Sequence, residues 1–366
     1  MLSGVVAVLV IAFGLIFIIT RPGDNSASCD AYYAAMENPP QEALAWCNAG
    51  EYFRWESTLP QNTDFEPVSI FHICQGNPTD PAILMIHGYP TSSFDYAALF
   101  ADLSQDHYIC ALDTPGYGFS DKPQDGYDYA IPDDAQLVDM YIREVAGLEA
   151  FTLLTHDKGD SVGLALLQLY QAYDEKPYTI THHVITNGNI YLPLAQLTDA
   201  QVALLNPTIG PLLSAMIPSD RFAQGIAETT YASTVPQGEV DSLASIFDYQ
   251  DGTRIQHEII QYLDERAANE VDWLEALAAS DIPTTLIWGE QDAIAPVAVP
   301  DHVWGTYLQD RAAPAWYWRI PCADHYLQGD APDLIATILR ATADDSDLPS
   351  VIEGATCQAL QVQSNS

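Results

Sequence analysis

Leu154-Thr-His-Asp-Lys-Gly-Asp-Ser-Val-Gly163 is an apolar run that turns sharply through His156-Asp157-Lys158-Gly159 into a helical pattern. Such a turn reads as a nucleophile elbow, whose central residue sits on strained backbone and whose neighbours two positions either side must be small. Thr155 and Gly159 are those neighbours, and the central residue is Asp157. A carboxylate attacking a saturated carbon leaves an ester that water can cleave, whereas a serine would leave an inert ether. Asp157 therefore points to alkyl transfer rather than peptidase or lipase chemistry. Taken alone, the stretch also fits an aspartate that only complements the positive end of a helix dipole.

Three further segments weigh against that plainer role. Ala82 to Pro90 (Ala-Ile-Leu-Met-Ile-His-Gly-Tyr-Pro) reads as a buried strand running into a turn, where an oxyanion-hole amide belongs. Thr285 to Asp292 is a second apolar strand ending in an acidic turn, which makes Asp292 the candidate orienting acid. Trp316 to Ile320 is a third strand, followed by His325 as the candidate base. Nucleophile, acid, histidine is the chain order of an α/β-hydrolase. The expected fold class is thus α/β: a mostly parallel central sheet flanked by helices, with an inserted helical cap. Residues 29–188 and 280–345 are expected to form the core. Residues 189–279 read as the cap, its helices separated by Pro207, Pro211, Pro218 and Pro236, and 346–366 as a polar, loose tail that Cys357 partly ties down.

His87-Gly-Tyr-Pro-Thr-Ser-Ser93, Asp113-Thr-Pro-Gly-Tyr-Gly-Phe-Ser-Asp-Lys-Pro123 and His156-Asp-Lys-Gly-Asp160 resemble the epoxide hydrolase and haloalkane dehalogenase superfamily. Within it the chain looks most like the mesoderm-specific transcript-like hydrolases. Trp46-Cys-Asn-Ala-Gly-Glu-Tyr-Phe-Arg-Trp55 echoes their aromatic run before the first strand, and Asp160 matches them where most relatives have glycine. The resemblance spans residues 45 to 343 and is weakest over 190 to 280. It implies an ester on Asp157, cleaved by a water that His325 activates and Asp292 orients, with the amides of Tyr89 and Lys158 holding the oxyanion.

Two positions depart from the dehalogenase pattern. Those enzymes carry Asn or Glu after the His-Gly and Trp after the nucleophile; here the residues are Tyr89 and Lys158. Tyr89 matches the aromatic position of epoxide hydrolases instead, which protonate the opening oxygen with two cap tyrosines. Epoxide hydrolysis is therefore the first expectation and haloalkane or haloacid dehalogenation the second, with a non-catalytic binding module on the same fold as the reading from another class. Tyr191, Tyr231, Tyr249 and Tyr262 are the candidate donors, in a chain of 20 tyrosines where each could equally be a core or surface aromatic. Lys158 could hold Asp157 ionised or bind an anionic group; alternatively its side chain pairs with Asp160 or extends to solvent.

Leu2 to Thr20 is an uninterrupted apolar run of a length that spans a bilayer. No Lys or Arg precedes it, so the basic start of a secretory signal is missing, and Arg21 just after it is a contrary orientation cue; the length of the run still makes residues 1–28 read as a membrane anchor or signal segment delivering the hydrolase to the non-cytoplasmic side. Six cysteines suit that oxidising side. Cys29 with Cys47 and Cys322 with Cys357 are the expected pairs, and Cys74 and Cys110, in strands, the expected buried thiols. With 12 basic and 50 acidic side chains the net charge is −38, which excludes nucleic acid as a partner. A hydrophobic fraction of 48% means that this acidity coats a folded surface rather than a disordered tract. No zinc spacing and no complete dinucleotide fingerprint is present, so a small-molecule substrate with no metal and no cofactor is expected. Oligomeric state is not legible.

Overall fold

The computed structural model describes residues 28–124 and 126–365. Ten strands form one sheet: β1 (Glu51–Trp55), β2 (Val68–Gln75), β3 (Ala82–Ile86), β4 (Tyr108–Leu112), β5 (Ala150–His156), β6 (Thr179–Thr186), β7 (Thr284–Gly289), β8 (Ala315–Ile320), β9 (Val351–Glu353) and β10 (Gln358–Ser364). Their spatial order is β1-β2-β4-β3-β5-β6-β7-β8-β10-β9. The six central strands, β4 through β8 in that order, are parallel. They are buried almost end to end because helices cover both faces, which is why they read as continuous apolar runs rather than alternating ones. The pairs at either edge are antiparallel.

Parallel strands all deliver their carboxyl ends to one rim, where open α/β sheets bind ligands. Tyr89 follows β3, Asp157 follows β5, Asp292 follows β7 and His325 follows β8. The order β3-β5-β6-β7-β8 therefore gathers residues that lie up to 236 positions apart in the chain.

Between β6 and β7 the chain is helical, as expected of a cap. Asp199–Leu205, Gly210–Met216, Ser219–Thr229, Gln237–Asp248 and Tyr262–Ala279 are its main helices. Thr198 caps the first, exchanging hydrogen bonds with Gln201. Pro218 and Pro236 immediately precede helices, but Pro211 lies inside the first turn of one, where its missing N–H has no partner to lose.

The structure corrects two expectations. The tail is not loose: β10 pairs with β8 and β9 with β10, extending the sheet, and Cys357 is bonded to Cys322. Cys74 and Cys110 are not thiols. They are opposite partners in the antiparallel β2–β4 pair and form a disulfide. Cys29 and Cys47 form the third. The apolar run Leu2–Thr20 lies outside the described residues, among which no helix is long and apolar enough to cross a membrane.

Candidate active site

Asp157 has φ 52° and ψ −115°, a conformation that costs a non-glycine residue on the order of 1–3 kcal/mol and persists only where the surroundings enforce it. Crowding around the turn does so. A Cβ on Gly159 would lie 2.4 Å from the Ile86 carbonyl oxygen, and one on Gly188 would lie 2.1 Å from Asp160 Oδ2 and 3.0 Å from Asp157 Cα. The elbow can pack this closely against β3 and the end of β6 only because those positions lack side chains.

The Asp157 carboxylate is buried and accepts hydrogen bonds from the amides of Tyr89, at 2.8 Å from Oδ1, and Lys158. His325 Nε2 stands 3.7 Å from Asp157 Oδ2, and its Nδ1 is 2.9 Å from Asp292 Oδ2. Asp292 is itself fixed: Oδ2 accepts from Asn187 Nδ2 at 2.8 Å, and Oδ1 from the amides of Ile294 and Ala295 at 2.7 and 2.9 Å. Asn187 Oδ1 in turn accepts from the Gly289 amide at 2.7 Å, so one side chain locks the ends of β6 and β7 together.

These contacts set the protonation states. Burial alone would raise Asp292, but His325, Asn187 and the Ala295 amide outweigh it and hold its carboxyl at about 2. Burial opposes charge on His325, yet Asp292, Asp157 and Asp324 prevail and raise the imidazole to about 9. Asp157 is raised by burial, against the pull of His325 and the two amides. The arrangement is a carboxylate in a ready-made cradle of amides, facing a histidine whose tautomer a second carboxylate fixes.

A family model described as alpha/beta hydrolase fold matches residues 81–332. The chain belongs to the α/β hydrolase family. This hydrolase is 32% identical over 259 residues to the Mycobacterium tuberculosis protein LipZ, covering 70% of this chain and 86% of that one. It is 29% identical over 266 residues to the mesoderm-specific transcript protein of Mus musculus, covering 70% and 76%. The crystal structure of haloalkane dehalogenase DbeA from Bradyrhizobium elkani superposes with a TM-score of 0.63 at 19% identity, over 81% of the hydrolase and 100% of DbeA, a likeness of fold.

The four tyrosines singled out in the sequence part company in the hydrolase. Tyr262, which opens the last long cap helix, donates to Asp157 Oδ1 at 3.4 Å. Tyr231 stacks on Tyr326, the neighbour of His325, with centroids 5.0 Å apart. The other two are corrections. Tyr191 stacks on His302, and Tyr249 packs on Phe119 with the Lys122 ammonium 4.7 Å from its ring centroid, lining a different cleft with Tyr52, Arg54 and Asp121. Periodicity cannot separate a cap tyrosine facing Asp157 from one facing the core.

Lys158 is buried, and its ammonium is 2.5 Å from Asp134 Oδ2, 3.2 Å from Thr114 Oγ1 and 4.5 Å from the Tyr117 ring centroid. Pairing with Asp160 or extension to solvent is thus replaced by a buried pair with Asp134. The backbone amide of Lys158 faces the Asp157 carboxylate while its side chain is occupied by Asp134. His87 joins the two turns, with Nδ1 2.8 Å from the Gly88 carbonyl and Nε2 3.1 Å from the Thr114 amide. Burial and Lys158 depress its imidazole to about 3, leaving it neutral.

Asn187, Asn189 and Gln328 were missed in the sequence. Asn189 and Gln328 are buried with side-chain polar atoms lacking hydrogen-bond partners, as is the Tyr89 hydroxyl. The signal available for the asparagines was their place, Asn187-Gly-Asn189 directly after a parallel strand.

Proposed function

We propose that this hydrolase opens epoxides through an ester on Asp157. The observation carrying this reading is the pair of tyrosines beside the nucleophile: Tyr262 donates to Asp157, and the buried, unpartnered hydroxyl of Tyr89 belongs to a ring 5.9 Å from that of Tyr262. Burial raises both phenols, so each retains its proton at neutral pH. Asp157 attacks an epoxide carbon, the carbon–oxygen bond breaks, and the departing oxygen takes a proton from a phenol. His325 then removes a proton from water, and the hydroxide adds to the Asp157 carboxyl carbon. The oxyanion is held by the Tyr89 and Lys158 amides; as it collapses, His325 passes its proton to the departing oxygen to release the diol, and the Asp157 carboxyl returns a proton to the phenolate.

We rank halide release second. The position after the nucleophile offers no ring N–H, and the Lys158 ammonium there is engaged by Asp134 rather than turned toward a leaving group. We assign the hydrolase to the non-cytoplasmic side, an assignment supported by three disulfides involving all six cysteines.

Single turnover in ¹⁸O-labelled water tests the chemistry with a panel of aryl and alkyl epoxides and matched bromoalkanes. The expected first-turnover diol carries unlabelled oxygen from Asp157, and the peptide containing Asp157 gains the label. Label appearing directly in the first product contradicts an ester intermediate, and turnover of the bromoalkanes alone contradicts the epoxide reading.

A further inference from the structure

Eight large hydrophobic side chains are exposed among the described residues, and five of them, Leu194, Val202, Ile209, Leu212 and Met216, fall within one short stretch of the cap. Scattered exposed apolar residues need no explanation, but a cluster marks an interaction surface. Met216 is 78% exposed, Leu212 59%, Val202 56% and Ile209 51%. Ile209, Leu212 and Met216 follow helical spacing and share one face of the helix Gly210–Met216. Gly210 and Ser214 turn to the opposite, buried side, where Ser214 Oγ accepts from the His257 amide. From Ala200 to Ser219 there is no charged residue, in a chain where 17% of residues are charged. Asp199 and Asp220 bracket the gap.

The place where the chain enters the described structure bears on what covers this face. Tyr32, near the first described residue, donates to the Ser245 carbonyl at 3.0 Å and to Asp248 Oδ2 at 3.1 Å, both on the cap. Asp248 Oδ1 accepts from Ser219 Oγ at 3.3 Å, only three positions beyond Met216. The end of the chain that follows the apolar run Leu2–Thr20 is therefore tied to the cap beside the uncharged stretch. Residues 21–31 reach at most about 40 Å when extended, so a bilayer holding the run lies within range of the exposed face.

We propose that the face formed by Val202, Ile209, Leu212 and Met216 docks on a zwitterionic lipid bilayer. Apolar side chains without charged neighbours enter the headgroup and acyl boundary to a depth of about 5–10 Å. A net charge of −38 selects zwitterionic over anionic lipid, because the surrounding acidic surface is repelled by the latter. Docking sets the cap, and with it Tyr262, against the phase in which apolar substrates dissolve. The inference stands apart from the epoxide chemistry and would hold for any apolar substrate of the same site.

The test uses the full chain in phosphatidylcholine vesicles, with Met216→Cys, Leu212→Cys or Val351→Cys carrying an environment-sensitive fluorophore. Val351 is also exposed but lies in β9 at the sheet edge, and serves as the reference. The expected result is a blue shift at positions 216 and 212, quenched more by a spin label high on the acyl chain than by one at its end, with aqueous emission at 351. Aqueous emission at 216 and 212, or failure of the protein to associate with vesicles, overturns the proposal. A blue shift that grows with protein concentration without lipid also overturns it, since the face would then join two copies of the chain.

Discussion

Tyr262, carried in from the cap helix, places its hydroxyl 3.4 Å from Oδ1 of Asp157, the atom that the Tyr89 amide also holds. On the proposed mechanism the cap thus supplies a proton donor to a nucleophile that the sheet supplies. Removing a donor aimed at developing charge typically costs 10²- to 10³-fold in rate, about 2.7–4 kcal/mol. Tyr262→Phe should slow ester formation by about that factor with little change in the rate of ester breakdown, as read by quenched-flow mass spectrometry. Equal loss in both steps would show that Tyr262 only shapes the pocket.

Both chemical steps should speed up as pH rises, each following its own group. Asp157 must be ionised to attack, while His325 must be neutral to activate water. In the free enzyme the ionised Asp157 helps Asp292 raise His325 to about 9. Forming the ester removes that charge, so the imidazole loses its proton at lower pH in the intermediate than in the free enzyme. Ester decay should therefore rise with pH and level off below the His325 titration of the free enzyme followed by NMR. The same shift has a stability consequence. Because folding raises His325 above its usual 6.5, its contribution is fully present below that pH and is lost as pH climbs toward 9.

Lys158 and Asp134 form a buried pair, with side chains 2% and 8% exposed. Lys158→Met strands a buried carboxylate and should destabilise by about 3–5 kcal/mol, whereas Lys158→Met with Asp134→Leu should recover most of the loss. Burial already raises Asp134, and Lys158 is what pulls it down. Without the lysine, the single variant should be weakest at alkaline pH and regain stability as the carboxyl takes up a proton. Urea unfolding of both variants at two pH values checks this, and additive losses would deny the pairing.

How far the sequence reached depended on whether a feature was local. The places of Asp157, Tyr89, Asp292 and His325 were legible because each sits where an apolar strand breaks into a turn, and such punctuation is written in adjacent residues. Partners that meet only in the fold were not. Asp134 meets Lys158 across 24 positions and Asn187 meets Asp292 across 105. Cys74 and Cys110 looked like core thiols because each strand reads as buried, but only the β2–β4 register sets them opposite one another. The tail read as loose because Gln358–Ser364, one strand in from the sheet edge, buries little beyond Ala359 and so shows almost no apolar pattern.

Peptide mapping without reduction should recover Cys29–Cys47, Cys74–Cys110 and Cys322–Cys357 as three linked pairs. Each closes a loop of 18 to 36 residues, worth roughly 3–4 kcal/mol on a chain-entropy basis. Mild reductant should open Cys29–Cys47 last, since both of its cysteines are buried whereas Cys74, Cys322 and Cys357 are partly exposed. Recovery of all six as thiols from oxidatively prepared protein would contradict the export assignment as well.

The ester on Asp157 is the claim on which the mechanism turns, and His325→Gln isolates it by removing the base that clears it. Intact-mass and peptide analysis of that variant after exposure to an epoxide panel should show one adduct of the epoxide's mass, confined to the peptide containing Asp157 and absent when Asp157→Ala is added. Folded His325→Gln protein that stays unmodified, or an adduct that survives Asp157→Ala, would contradict the account.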